Sequence, residues 1–217
     1  MRILIANLIC LLLVVKPSLQ LLETQADVLF ILDTSGSIGE ANFTIMKNTA
    51  ANLAGQFKIG KRDTQVGVDV FSTGFRTEIK LKRYNLIQLL KFYIKRIPYG
   101  SGGTKTYLAL DHARESSFTK ENGDRPRIQN IALVMTDGGS DNQKRTCIAA
   151  RRLRDEGEGC IIISIPIGNR INEEEIECIE DDIGLRFAAA NFAALTKKSF
   201  RKRIAQKILQ VSSPGQG

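Results

Sequence analysis

Apolar residues fall along this chain in short unbroken runs that alternate with longer stretches of helical spacing. The runs are Asp27–Asp33 (DVLFILD), Thr64–Ser72 (TQVGVDVFS), Phe75–Leu81 (FRTEIKL), Ile128–Thr136 (IQNIALVMT) and Cys160–Gly168 (CIIISIPIG), with a further short segment near Phe187. Each reads as a strand, and continuous apolar character predicts burial on both faces. Between them, Phe43, Met46, Ala50, Leu53 and Phe57 recur at helical spacing, which predicts a helix over Glu40–Phe57 ending near Gly60. The same reasoning predicts helices over Asn85–Ile97, Thr106–Ser117, Gln143–Glu156, Glu173–Glu180 and Leu195–Val211. The turn Ser72–Gly74 is too short for a helical crossover, so the strands on either side of it pair antiparallel. The expected fold is α/β, a doubly wound, mostly parallel six-stranded sheet with one antiparallel edge strand and helices on both faces. In such sheets ligands bind beyond the carboxyl ends of the strands.

The chain has 217 residues, enough to bury the core of one ordinary domain. Its first residues pair a basic start with a short apolar run, the pattern of a secretory signal. A signal is expected over residues 1–22, cut between Ser18 and Ala26, then a domain over 26–211 and a tail, SSPGQG, over 212–217. No later run has spanning length, so the expected product is secreted and extracellular. Without residues 1–22 there remain 29 Lys and Arg against 23 Asp and Glu, a net charge of +6. Lys197, Lys198, Arg201, Lys202 and Arg203 form the densest basic cluster and are candidate contacts for a heparin-like polyanion. Phe200 is the one aromatic residue within the basic clusters, fewer than the interleaving that nucleic-acid binding would favour, and no nucleic-acid partner is expected. Cys147, Cys160 and Cys178 follow the signal, and an oxidising compartment favours pairing two of them. If the crossovers are right-handed, the helices bearing Cys147 and Cys178 lie side by side. That makes Cys147–Cys178 the first pairing to expect, with the other two pairings open. Asn42-Phe43-Thr44 is a candidate N-glycosylation site at Asn42.

The candidate chemistry lies where the strands end. The first strand delivers Asp33 with Ser35 and Ser37 behind it; a later strand delivers Asp137 followed by two glycines; Thr104 follows Gly102 and Gly103 in the loop between. Two carboxylates and three hydroxyls are hard oxygen donors, suited to Mg²⁺ or another hard divalent cation rather than to zinc. The same Asp-x-Ser-Gly-Ser run also fits a helix N-cap turn. His112 is the one histidine and no nucleophile is spaced for it, so no Ser-His-Asp triad is expected. A metal-dependent hydrolase would want a second metal cluster or an evident general base, and the expectation is a protein that is not an enzyme.

Five segments, DVLFILDTSGSIG, VGVDVFSTGF, GGTKTYLALD, ALVMTDGGSDN and IIISIPIG, in this order and covering about Ala26 to Val211, resemble the von Willebrand factor type A (vWA) domain. The resemblance implies a metal-ion-dependent adhesion site (MIDAS) formed by Asp33, Ser35, Ser37, Thr104 and Asp137. The implied cofactor is Mg²⁺, or Mn²⁺ or Ca²⁺ in its place. It also implies an extracellular or cell-surface protein ligand, collagen-like or another matrix protein, whose acidic side chain completes the coordination. Lys105 stands where the family often has Asn, and residues 195–217 contain no Asp or Glu to act as the pull-handle found on the last helix of some relatives. The competing expectation is a structural matrix or assembly subunit, or a polyanion binder acting through its basic helices without metal.

Overall fold

In the computed structural model of the chain, residues 21–180 and 182–213 are described. Residues 1–20 of the expected signal and the last four residues of the tail lie outside that range. The strands β1 (Ala26–Asp33), β2 (Thr64–Phe71), β3 (Phe75–Ile79), β4 (Asn130–Thr136) and β5 (Cys160–Pro166) form one sheet in the order β3-β2-β1-β4-β5. All neighbours are parallel except β2 and β3, which are antiparallel across the Ser72–Gly74 turn.

Among the described residues the sheet has five strands where six were expected. The segment at Phe187 does lie along β5, with Phe187 N donating to Ser164 O at 2.9 Å, Ala189 N to Pro166 O at 2.9 Å and Gly168 N to Ala189 O at 2.8 Å. The ladder breaks between these bonds because the rung from residue 166 to the carbonyl of Phe187 needs an N–H, and Pro166 has none. What remains is a pair of isolated bridges, Ser164 to Arg186 and Ile167 to Ala189.

Among the described residues seven α-helices flank the sheet: α1 (Glu40–Ala54), α2 (Ile87–Ile94), α3 (Thr106–His112), α4 (Gln143–Asp155), α5 (Glu173–Glu180), α6 (Phe192–Leu195) and α7 (Lys198–Ser212). Side chains alternate along a strand, so β1 feeds two cores. Val28, Phe30 and Leu32 pack with residues of α1, α2 and α7, whereas Leu29 and Ile31 pack with residues of α3, α4 and α5.

Several helices end earlier than their apolar spacing predicts. Gly55 caps α1, and Phe57, though 1% exposed, sits in the turn beyond it, with its N–H bonded to Ala54 O. The helix expected to run to Ser117 is α-helical only to His112 and then widens into a π-turn, Ala113–Ser117, closed by Phe118 N donating to Ala113 O. The last helix is split at Thr196–Lys197, where Arg201 turns back and donates to Leu195 O and Thr196 O.

Candidate functional site

The carboxyl ends of β1 and β4 place the two aspartates together. Leu32 pairs with Met135, so Asp33 stands level with Thr136 and Asp137 comes one residue later. The Asp33 carboxylate is fully buried, and both its oxygens are engaged: Oδ1 accepts from Ser35 N at 2.7 Å and Oδ2 from the Thr136 hydroxyl at 2.7 Å. From there a chain of oxygens leads outward. Ser35 Oγ lies 3.1 Å from Ser37 Oγ, and the Ser37 hydroxyl donates to Asp137 Oδ1 at 2.7 Å.

Thr104 is brought up by a loop tied to its neighbours at several points. Gly36 N donates to Gly102 O at 2.9 Å, Gly103 N to Thr73 Oγ1 at 2.8 Å and Lys105 N to Ser72 O at 2.8 Å. Asp141 holds Thr104 from the β4 side, its Oδ1 accepting from Thr104 N at 3.0 Å while its own N–H donates to Thr104 O at 2.8 Å. Gly102 is required here. Its φ is +114°, and a Cβ would meet Thr73 Oγ1 at 2.6 Å. Among the described residues, no hydrogen bond engages the Thr104 hydroxyl itself.

The electrostatics suit a cation. Burial, opposed by the hydrogen bonds from Thr136 and Ser35 and reinforced by the Asp137 carboxylate, pushes the Asp33 carboxyl up to about 6. Two neighbouring carboxylates with so little water repel one another unless positive charge is supplied, and the donors beside them are neutral hydroxyls. This set of hard oxygens fits a divalent ion. Among the described residues no group of three His, Cys, Asp or Glu side chains is placed to hold a metal, so an ion here would depend on the hydroxyls.

Beside Ser37 and Asp137 opens a cleft of about 330 Å³ bordered also by Asn42, Asn169, Arg170 and Asn191. Asn42 of the candidate glycosylation sequence is half-buried there, its Nδ2 donating to Ile38 O at 2.9 Å. The motifs in the sequence do not single out Thr73, Tyr99, Thr136 or Asp141. Tyr99 donates its hydroxyl to Ser35 O at 2.8 Å. Only Asp141, close behind Asp137, carried a local signal; the others matter through contacts that spacing does not reveal. His112 lies away from this cluster, its Nε2 2.7 Å from Thr77 Oγ1 and its ring stacked on Phe75.

The structure joins Cys147 on α4 to Cys178 on α5, with Cα atoms 5.2 Å apart, and buries Cys160 at the start of β5. Of the basic cluster, Lys197, Lys198, Lys202 and Arg203 are exposed, while Arg201 is half-buried against the end of α6.

A doubly wound sheet with a hydroxyl–carboxylate cluster at the crest of its central strands defines the class: an α/β domain with an oxygen-rich crest site. The family model of the von Willebrand factor type A domain matches residues 27–202, and the chain belongs to that family. It is 30% identical over 174 residues to the collagen alpha-1(XII) chain of Notophthalmus viridescens, covering 80% of this chain and 18% of the relative. It is 29% identical over 178 residues to matrilin-4 of Mus musculus, covering 80% and 28%. The chain therefore spans less than a third of the length of these relatives. Among solved structures it resembles proximal thread matrix protein 1 from the mussel byssus, with 28% identity and a TM-score of 0.80 over 87% of this chain and 48% of that one. A second structure of that protein, with zinc in its MIDAS motif, gives 24% identity and a TM-score of 0.76 over 86% and 46%.

Proposed function

We propose that this chain is a secreted binding protein of the extracellular matrix. In this reading Asp33, Ser35, Ser37, Thr104 and Asp137 hold a divalent cation, Mg²⁺ first, with Mn²⁺ or Ca²⁺ able to replace it. The observation that carries the reading is the run of oxygens from Ser35 through Ser37 to Asp137 beside the buried Asp33. When bound, such an ion supplies Lewis-acidic charge that mostly neutral donors leave poorly compensated, and an acidic side chain of a protein ligand is attracted to it. The chain's own residues do the remaining work. Thr136 and the Ser35 N–H orient Asp33, Asp141 pins Thr104, and Arg170 with Asn169 and Asn191 offers donors to groups flanking the ligand's acid.

Likeness to collagen and matrilin chains supports a matrix setting, a matrix-protein partner and a binding rather than catalytic role. Proximal thread matrix protein 1, which carries zinc in its MIDAS motif, supports occupancy by a divalent ion. Secretion is proposed from the apolar N-terminal run; among the described residues no helix is long and apolar enough to cross a membrane.

The test is binding of the secreted protein to collagens, laminin, fibronectin and heparin, each in Mg²⁺ and in EDTA, beside Asp33→Ala. Binding to a matrix protein that disappears in EDTA and in the variant is the expected result; chelator-resistant binding of that protein would refute it. A second reading, polyanion binding by α7, is favoured by exposed Lys198, Lys202 and Arg203, with no Asp or Glu after Asp182. It predicts heparin binding that survives EDTA and is lost at high salt.

A further inference from the structure

The described residues expose six large hydrophobic side chains, and four belong to one short segment: Leu86, Leu89, Phe92 and Tyr93, exposed by 60, 46, 46 and 44%. Leu89 lies three and four residues before Phe92 and Tyr93 on α2, and Leu86 stands at the N-cap three residues before Leu89, so the four form one row at the start of and along the helix. The helix meets the core with other residues, Leu90 and Ile94, so the outward row is not needed to hold it in place. Isolated exposed apolar residues are ordinary, whereas a contiguous row marks an interaction site.

Along the sequence this row has only basic charged neighbours. No Asp or Glu occurs between Glu78 and Asp111, while Lys80, Lys82, Arg83, Lys91, Lys95 and Arg96 flank the apolar side chains. Among the described residues none of these six enters an ion pair. The rings are held in place by one another and by guanidinium groups. Tyr84 stacks on Tyr93 at 4.8 Å, Phe92 meets Tyr93 edge-on at 5.2 Å, Arg96 lies 3.4 Å above Phe92, and Arg83 lies 5.5 Å from the Tyr84 ring.

We propose that α2 and the segment leading into it form a docking surface for an anionic lipid bilayer. Leucine and phenylalanine side chains projecting from a helix enter the acyl boundary without needing a matching pocket. The tyrosines suit the headgroup level, and six cations that enter no ion pair among the described residues match a negatively charged surface. The basic face of α7 differs in kind. Its large apolar residues Phe200, Ile204 and Ile208 are buried, so it offers charge without an inserting row. The α2 surface uses none of the proposed cation ligands, and binding through it is independent of metal.

The experiment is flotation of the secreted protein with vesicles of phosphatidylcholine alone, or with about one third phosphatidylserine, in EDTA. Wild-type protein is expected to float with the mixed vesicles and not with phosphatidylcholine alone. Leu86→Ser/Leu89→Ser/Phe92→Ser, with its melting temperature checked, should lower the partition by about tenfold or more. Lys82→Glu/Lys95→Glu, two exposed positions whose change leaves the apolar row intact, should also lower it, and Lys198→Glu/Lys202→Glu should not. The proposal is overturned if wild-type protein does not float, if both α2 variants float undiminished, or if the α7 variant alone loses binding. The last result would assign the interaction to a polyanion site on α7.

Discussion

Asp141 makes no hydrogen bond to Asp33, Ser35, Ser37 or Asp137. Its side chain accepts from the backbone N–H of Thr104, fixing one edge of the glycine-rich loop to the end of β4. Residues that orient a ligand through a second contact typically change metal affinity by about 10–100-fold when removed. Asp141→Ala is therefore expected to weaken Mn²⁺ or Mg²⁺ binding by about that factor in calorimetry, with little change in melting temperature because Asp141 is exposed. Asp141→Asn keeps an acceptor for the Thr104 N–H and should recover most of the affinity; equal losses in both variants would show that charge, not positioning, is what matters. Asn42 belongs to the same scale. Since it borders the cleft beside Ser37, a glycan on Nδ2 would rise where a ligand has to approach. If the site is glycosylated, Asn42→Gln should strengthen cation-dependent binding.

Between elements, the Cys147–Cys178 bond ties α4 to α5 across a separation of 31 residues. Loop-closure entropy for that length gives about 3–4 kcal/mol, and Cys147→Ser/Cys178→Ser should lose about that in urea unfolding. Cys160 should stay unreactive toward thiol reagents in the native protein, since burial raises its thiol pKa strongly and leaves the residue 6% exposed. A second link joins β2 to the π-turn after α3, where the Ser117 hydroxyl donates to Asp69 Oδ2 at 2.6 Å. Burial, countered by the Ser117 and Thr77 hydroxyls, pushes the Asp69 carboxyl up to about 6 from 3.8. The folded state thus binds this proton more tightly, so the contribution is complete below about pH 3.8 and is lost as pH rises through about 6. Asp69→Asn should gain stability relative to wild type between pH 4 and 7, by on the order of 3 kcal/mol, and a pH-independent difference would rule this out. The order of elements and the antiparallel pair were legible because apolar runs and a three-residue turn encode them locally. The π-turn and the broken sixth strand were not, since one closes around a partner 48 residues away and the other depends on a missing N–H opposite Phe187. At the site, the Asp-x-Ser-x-Ser run announces itself, whereas Tyr99 becomes relevant only once the fold brings its hydroxyl to Ser35 O.

Over the whole molecule, the crest with its hydroxyls is balanced at the other end of the sheet by an ion pair between buried Asp27 and partly buried Arg125. Asp27, fully buried in β1, accepts from Arg125 Nε at 3.0 Å and Nη2 at 2.7 Å, from Arg125 N at 2.9 Å and from Gln65 Nε2 at 3.0 Å. The same guanidinium donates to the carbonyls of Ala26, Lys61 and Asp63, closing the amino ends of β1 and β2 with one side chain. Removing one partner of such a pair costs about 3–5 kcal/mol, because it strands a buried charge rather than because the pair is intrinsically favourable. At 2–4 °C per kcal/mol for a domain of this size, Arg125→Leu should lower the melting temperature by on the order of 10 °C. Asp27→Asn/Arg125→Leu removes the stranded carboxylate and should recover part of that loss. The crest lies at the opposite ends of the same strands and shares none of these contacts. Cation-dependent ligand binding per folded molecule should therefore be unchanged in Arg125→Leu below its melting transition. A proportionate fall in both properties would mean that the two ends of the sheet are coupled through β1 and that the crest is not an independent unit.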